Sequence, residues 1–525
     1  MRNNGARECL SEPPLSQSIL TRFAATLIVN ILRGGFSFAG GILIARGLGA
    51  SGYGDLSFLL GTFVAVGQLF DMGTSSAFYT FIARQKQSRE FIVLYLGWVG
   101  FQFIATVVAV GLLLPGSLVE RIWVGHGRGI VLLAFCASFL TTQAWGLISQ
   151  LGEAIRKTVL IQAVALSQAL AHLALIAAAV YWNWLAVHTV MWLLIGEYAL
   201  LVVTLGPKLL RENIVEASVA SRGSEAGVAE FVAYCKPLAV YGCVAFLYGF
   251  ADQWLLQRFG GAEQQGFFAV AQQFANLSLI ASVSIMKVFW KEIAEADARQ
   301  DRERVRMLYQ KVSRGLLMVG AILSGFFIPW SETILELVLG KTYAPAWAAL
   351  AIMFLYPIHQ SVGQVCGTML LSIGQTRLYV IQGASFMLAS LPVSYVMQAP
   401  PTAMIPGLGW GSFGMALKMV VLNVIGVNVM IVMIARLYGW KYDWVSQVVG
   451  VVLLVVLGFA THGLALWIME PSAGGGTQLL PPMLFAGLLY LLSAAGLIWA
   501  MPWLVGMGRT EIRSALCSRT WMPGR

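Results

Sequence analysis

Charge is what this chain has least of. Only 11% of its 525 residues are Asp, Glu, Lys or Arg, against 58% hydrophobic, and the mean hydropathy is +0.75. That excludes a soluble globular fold and predicts an all-α polytopic membrane protein. Stretches that are not apolar reach about 20–25 residues at most, too short for an independent core. Cysteine is also scarce. The six present (Cys9, Cys136, Cys235, Cys243, Cys366 and Cys517) show no CxxC spacing, which argues against a disulfide framework or a metal site. There is no GxSxG, no HExxH, no P-loop and no acidic metal cluster in a soluble loop. No catalytic residue and no cofactor is therefore assigned. The expected energy source is an ion gradient, the membrane potential or a substrate gradient.

What is there is apolar length. Windows of about 20 apolar residues predict fourteen spans, at 19–45, 56–82, 91–114, 130–150, 158–181, 184–206, 231–256, 264–290, 314–338, 347–372, 377–397, 410–436, 445–468 and 482–505. The segment before the first span carries Glu8, Glu12 and Pro13-Pro14, and no small-residue cleavage site follows the first apolar run. It reads as a cytoplasmic lead-in.

Lysine and arginine set the orientation. With residues 1–18 cytoplasmic, the even-numbered loops should be basic, and 26 of the 34 Lys and Arg fall on that side. Five fall on the other side (Arg46, Arg121, Arg128, Arg258 and Lys341) and three lie within spans (Arg33, Lys236 and Lys418). The net charge of +10 is thus topology, not a nucleic-acid surface, and both termini are expected in the cytoplasm. The 291–314 loop should also lie on anionic lipid headgroups.

An internal repeat organises the spans. The turn Arg46-Gly-Leu-Gly-Ala-Ser-Gly-Tyr-Gly54 between spans one and two has a counterpart in Gln257-Arg258-Phe-Gly-Gly-Ala-Glu-Gln-Gln-Gly266 between spans seven and eight. Each has a basic residue, a glycine pair, a short polar insert and a closing glycine. The expected organisation is an N-terminal six-helix lobe (19–206), a cytoplasmic linker (207–230) and a C-terminal six-helix lobe (231–436). Two further helices (445–505) and a basic cytoplasmic tail (506–525) follow. Six spans is an even number, so both copies enter in the same sense, about an axis along the membrane normal, with a substrate path between them.

Polar residues line up on four of the spans. Thr26, Asn30, Arg33 and Ser37 form one helical stripe, as do Gln68, Asp71 and Ser75. Tyr241, Tyr248 and Asp252 share a face of span seven, and Gln273, Asn276 and Lys287 a face of span eight. Such stripes face a bundle interior or water rather than lipid, and either a wet cavity or helix–helix hydrogen bonding would account for them. Arg33, about 18 Å into the first span from its expected end at Ala45 by helical rise, carries a charge near the midplane. It can receive a diphosphate or sugar carboxylate through a bidentate contact, or pair with Asp71. Lys236 and Lys287 lie within a turn or two of the cytoplasmic face, where snorkelling competes with ligand binding. Glu197 and His359 are candidate ion-coupling groups, with a satisfied internal hydrogen bond as the alternative for each.

Leu48-Gly-Ala-Ser-Gly-Tyr-Gly54, Leu69-Phe-Asp-Met-Gly73 and Ile82-Ala-Arg84 resemble the opening spans of the polysaccharide (Wzx-type) flippases of the MOP superfamily. In the second copy Lys236-Pro237, Asp252, Gly266-Phe-Phe-Ala and Lys291 do the same, although Gln253-Trp254 stand where the pattern often has an arginine. The resemblance implies two six-helix repeats around a central cavity lined by spans one, two, seven and eight, plus two C-terminal helices. It implies flipping of a polyprenyl-diphosphate-linked oligosaccharide (an O-antigen, capsule or exopolysaccharide repeat) across a bacterial inner membrane by alternating access. Membrane lipids, a polysaccharide polymerase and chain-length machinery are the partners it implies. A lipid II flippase and a MATE-type exporter are the rival transporters. A membrane polymerase or glycosyltransferase is the rival enzyme, disfavoured because the outer loops are short.

Overall fold

The computed structural model describes residues 15–84, 89–215, 224–441, 444–469, 476–506 and 508–509. Among these every regular element is helical. The cause is the solvent: in hydrocarbon each backbone N–H and C=O must be satisfied within its own segment or in a closed barrel.

Fourteen long helical segments can be traced among the described residues. The first half comprises α1 (15–48), α2 (50–84, with a break at Met72-Gly73), α3 (89–113), α4 (128–154), α5 (Thr158–Tyr181) and α6 (Val187–Val215). The second comprises α7 (224–260), α8 (261–298), α9 (Arg302–Phe327), α10 (347–372), α11 (Thr376–Gln398) and α12 (Gly411–Tyr438). α13 (Val445–Met469) and α14 (Leu480–Ala500) complete the set, and α9 bends by 74° into Ser331–Val338.

By length and composition alone, ten helices among the described residues can cross a membrane, or eleven if the bent pair Arg302–Phe327 and Ser331–Val338 is one span. Two of these ten are continuous stretches of 44 residues (Ile28–Asp71) and 41 residues (Leu238–Ser278). At 1.5 Å per residue each is roughly twice a 30 Å hydrocarbon core. Each is interrupted at a single glycine, Gly49 (φ 70°, ψ 174°) and Gly261 (φ 81°, ψ 174°). Positive φ costs glycine little and other residues more, so each break needs one residue. The turns are therefore far narrower than the nine- and ten-residue segments expected from sequence. Because α1 runs on to residue 48, Arg33 lies about 24 Å along the helix from the break. That puts it past the midplane, towards the end of the bundle that carries the basic loops.

The core follows the lobes. Phe58, Phe63, Trp123, Val131 and Phe135 pack α2, α4 and the α3–α4 connection in the first lobe. Phe267, Trp330, Leu350 and Met415 join α8, α9, α10 and α12 in the second. α13 and α14 dock on α9, where Gly325 and Gly458 meet backbone to backbone and Tyr490 donates to the Ile322 carbonyl at 3.0 Å.

Candidate functional site

The two lobes meet through α1, α2, α7 and α8, and the contacts obey the sequence repeat. Gly49 and Gly261, with matching backbone angles, are 212 residues apart. So are Gly54 and Gly266, which sit face to face. A Cβ on Gly54 would collide with the carbonyl of Ala262, and one on Gly266 with the carbonyl of Ala50. Ala50 and Ala262 are themselves 212 apart, so two small-xxx-small stripes cross reciprocally, the device that lets membrane helices approach backbone to backbone.

About two turns further along the reciprocity recurs with polar groups. Gln273 of α8 lies against Gly41 of α1, donates to the Phe38 carbonyl at 3.0 Å and accepts from the Tyr53 hydroxyl at 2.9 Å. Gln253 of α7 lies against Gly61 of α2 and accepts from the Gln265 amide. The same offset relates Gly41 to Gln253, Tyr53 to Gln265, and Gly61 to Gln273. The end of the bundle away from the basic loops is thus closed by a pseudo-two-fold seam.

At that end Asp55 of α2 accepts from Gln257 Nε2 of the other lobe at 2.9 Å. Its carboxylate also faces His126 Nε2 at 3.4 Å, while His126 Nδ1 lies 2.6 Å from the Trp123 carbonyl. A ring set between two acceptors satisfies both only as imidazolium. The hydrogen bond to Asp55 accordingly pushes the His126 pKa up from its ordinary value.

Towards the basic end, polar side chains are left uncovered by the rest of the protein. Arg33 and Ser37 of α1, Gln68 of α2, Lys236 of α7 and Asn276 of α8 are exposed, and Asn30 is half-exposed. Among the described residues Arg33 makes no ion pair with Asp71, whose Oδ1 instead caps the lower half of α2. It accepts from the Ser75 amide at 2.9 Å and the Thr74 hydroxyl at 3.4 Å, directly after the Met72-Gly73 break. Arg33 lies close enough to Tyr198 of α6 to act on it electrostatically. The Lys287 side chain falls outside the described residues, as does that of Thr26.

Other candidates are engaged within a lobe. Asp252 is held by Lys418 Nζ of α12 at 2.5 Å and by the Ser394 hydroxyl of α11 at 2.5 Å, and the Lys418 ammonium lies 4.7 Å from the centre of the Tyr248 ring. Tyr241 stacks on Tyr379 of α11, ring centres 6.5 Å apart. Glu197 accepts from Gln168 Nε2 at 3.0 Å and meets His172 Nδ1 of α5 at 3.0 Å. His359 hydrogen-bonds Gln447 of α13. No group of three or more His, Cys, Asp or Glu among the described residues could hold a metal ion.

Sequence reading missed four partners: Lys418 for Asp252, His172 for Glu197, and His126 and Gln257 for Asp55. No linear signal marks the first two. The 212-residue offset, followed residue by residue instead of only across the turns, would have picked out the Tyr53–Gln273 and Gln265–Gln253 pairs.

The fold defines a two-lobed, multi-pass membrane protein built like the transporters of the MOP superfamily. The solved structures it matches include a lipid II flippase, MurJ, in an inward closed conformation (TM-score 0.62, 13% identity, covering 92% of this chain and 98% of that one). They include an inward-facing multidrug-resistance MATE transporter (TM-score 0.58, 16% identity, 79% of this chain and 100% of that one). A MOP-superfamily transporter from Pyrococcus furiosus, described as having a binding pocket of reverse polarity, matches at TM-score 0.55 and 13% identity over 80% of this chain and 95% of that one. No protein-family model and no curated protein matches the sequence.

Proposed function

We propose that this protein flips polyprenyl-diphosphate-linked oligosaccharide units from the cytoplasmic to the outer leaflet of a bacterial inner membrane. It does so by alternating access, with both termini and the basic end of the bundle in the cytoplasm. The observation that carries this reading is the contrast between the two ends of the lobe interface. One end is closed by the glycine–alanine seam. Towards the other, Arg33 and Lys236 are exposed on helices that line the interface. Cations suit a diphosphate: arginine binds it through two parallel N–H donors and lysine as a point charge. A drug exporter for organic cations has no use for them.

The extent of the fold points the same way. The flippase match covers 92% of this chain and the MATE match 79%. That flippase match also supports a second reading, a lipid II flippase. An oligosaccharide-flipping chain would work alongside the polymerase and chain-length machinery that use its product in the outer leaflet. The Glu197–His172 pair, set in the first lobe beside Tyr198, is the proposed place for coupling to an ion or proton gradient.

Deleting the gene and identifying the lipid-linked intermediate that accumulates on the cytoplasmic face tests this. An undecorated or partly polymer-competent oligosaccharide repeat on a polyprenyl diphosphate is expected. Accumulated lipid II would establish the second reading, and no accumulation of any carrier-linked glycan would contradict both.

A further inference from the structure

At the basic end, the appended helix α13 joins the second lobe beside α9 and α12 and leaves a cleft of about 60 Å³. Its floor is apolar, with Leu317 of α9 and Ile431 of α12, and its mouth carries Arg314, Trp440 and Lys441. Among the described residues no carboxylate lines it. Arg314 is held over the mouth by a hydrogen bond from Nη1 to the Trp503 carbonyl at 2.9 Å. Trp440 is fixed between Tyr309 and Tyr438, at ring-centre distances of 5.7 and 4.7 Å.

Ser313 gives the cleft its direction. The residue is 9% exposed, and its hydroxyl has no hydrogen-bond partner although it is buried. Ser149, Ser167 and Ser324 on comparable helices each donate to the carbonyl four residues back. A buried hydroxyl left unmade costs about 1–3 kcal/mol, so the cleft presents an unfilled donor between two cations and an apolar floor. Aromatic rings and cations at this level are the composition of a membrane–water interface.

We propose that this cleft binds an anionic membrane phospholipid. The phosphate sits between Arg314 and Lys441, takes a hydrogen bond from Ser313 Oγ, and the start of one acyl chain lies on Leu317 and Ile431. The volume admits a headgroup phosphate and excludes an oligosaccharide, so the ligand is not the cargo. Bound there, the lipid fills the joint between the appended pair and the second lobe. The proposal rests on the reading above only in taking the basic end to face the cytoplasmic leaflet.

Native mass spectrometry of the full-length protein with added phosphatidylglycerol tests it. Each cation near a lipid surface contributes about 1 kcal/mol, so Arg314→Ala with Lys441→Ala should weaken phosphatidylglycerol binding about 30-fold. Ser313→Ala keeps both charges and the packing, and by removing one charge-assisted hydrogen bond should weaken it about tenfold. Arg299→Ala with Arg302→Ala removes equal charge from the same end outside the cleft and should leave tight binding intact. Phosphatidylcholine should bind weakly to all forms, and excess inorganic phosphate should not displace phosphatidylglycerol. Equal losses in the cleft and control variants, or unchanged binding in Ser313→Ala and the cleft double variant, would overturn the proposal. So would displacement by inorganic phosphate. The measurement reads lipid binding and not transport, so none of these failures touches the flippase proposal.

Discussion

Lys418 and Asp252 stand 166 residues apart in sequence and 2.5 Å apart in the fold, with the Lys418 side chain 1% exposed. A buried ammonium alone would be heavily penalised by desolvation. The carboxylate of α7 and the face of Tyr248 replace its water, while the Ser394 hydroxyl of α11 donates to the other oxygen of that carboxylate. The pair ties the interface helix α7 to α11 and α12, so the second lobe can move as one body.

Removing one partner leaves an uncompensated charge, which costs about 3–5 kcal/mol, whereas replacing both by apolar residues of similar size is near neutral. Asp252→Asn should therefore lower the thermal unfolding temperature of the detergent-solubilised protein markedly. Asp252→Leu combined with Lys418→Met should recover most of the loss. An unchanged unfolding temperature in Asp252→Asn would show that the pair contributes nothing.

The glycine seam makes a sharper demand. Gly54→Ala or Gly266→Ala places a methyl inside a facing carbonyl, so the lobes cannot close at that end. Either substitution should abolish transport while the protein still inserts and folds. Gly35→Ala, with nothing within 4 Å, should be neutral. Normal transport in Gly54→Ala would mean that the seam is not closed during the cycle.

His126 predicts a pH dependence. Its pKa is raised chiefly by the hydrogen bond to Asp55, a residue of the same lobe. Protonation therefore stabilises the folded first lobe: the contribution is complete below about pH 6.5, the ordinary histidine value, and is lost as pH rises through the raised one. The thermal unfolding temperature of the detergent-solubilised protein should fall between pH 5.5 and pH 8.5, and in His126→Gln that fall should shrink. A fall of the same size in His126→Gln would assign the response to another group.

Much of this was legible in the sequence. The apolar windows, the basic loops and the six-span repeat predict the passes, because hydrocarbon enforces both helix and length. The repeat also marks where the lobes meet. The extent of the turns was not legible. Nine residues rich in glycine read as a loop, but the helix is broken only by a kink at Gly49, and Gly54 serves close packing instead. Nor could the stripes separate exposed from engaged groups. Asp252 shares a helical face with Tyr248, as a cavity residue would, yet it is occupied by Lys418. Gln273 lies in the seam while Asn276, less than a turn away, is exposed. Such choices depend on partners hundreds of residues distant.

Arg33 separates the proposed role from a structural one. It is exposed and makes no ion pair with Asp71, so Arg33→Ala should leave the unfolding temperature unchanged. Losing a charged bidentate contact to a diphosphate, about 2–3 kcal/mol, should reduce transport about 30- to 150-fold. Arg33→Lys keeps the charge but not the fork and should fall between. Full transport in Arg33→Ala would remove the residue from the substrate path.

The central claim is that the chain moves a lipid-linked oligosaccharide across the membrane without altering it. Purified protein reconstituted in liposomes with a labelled polyprenyl-diphosphate oligosaccharide tests that directly, using an external glycan-cleaving enzyme to report on sidedness. The account predicts that label initially in one leaflet redistributes only in vesicles containing the protein, changing its protection from the enzyme at constant glycan length. Redistribution no faster than in protein-free vesicles, or an elongated product, would contradict it.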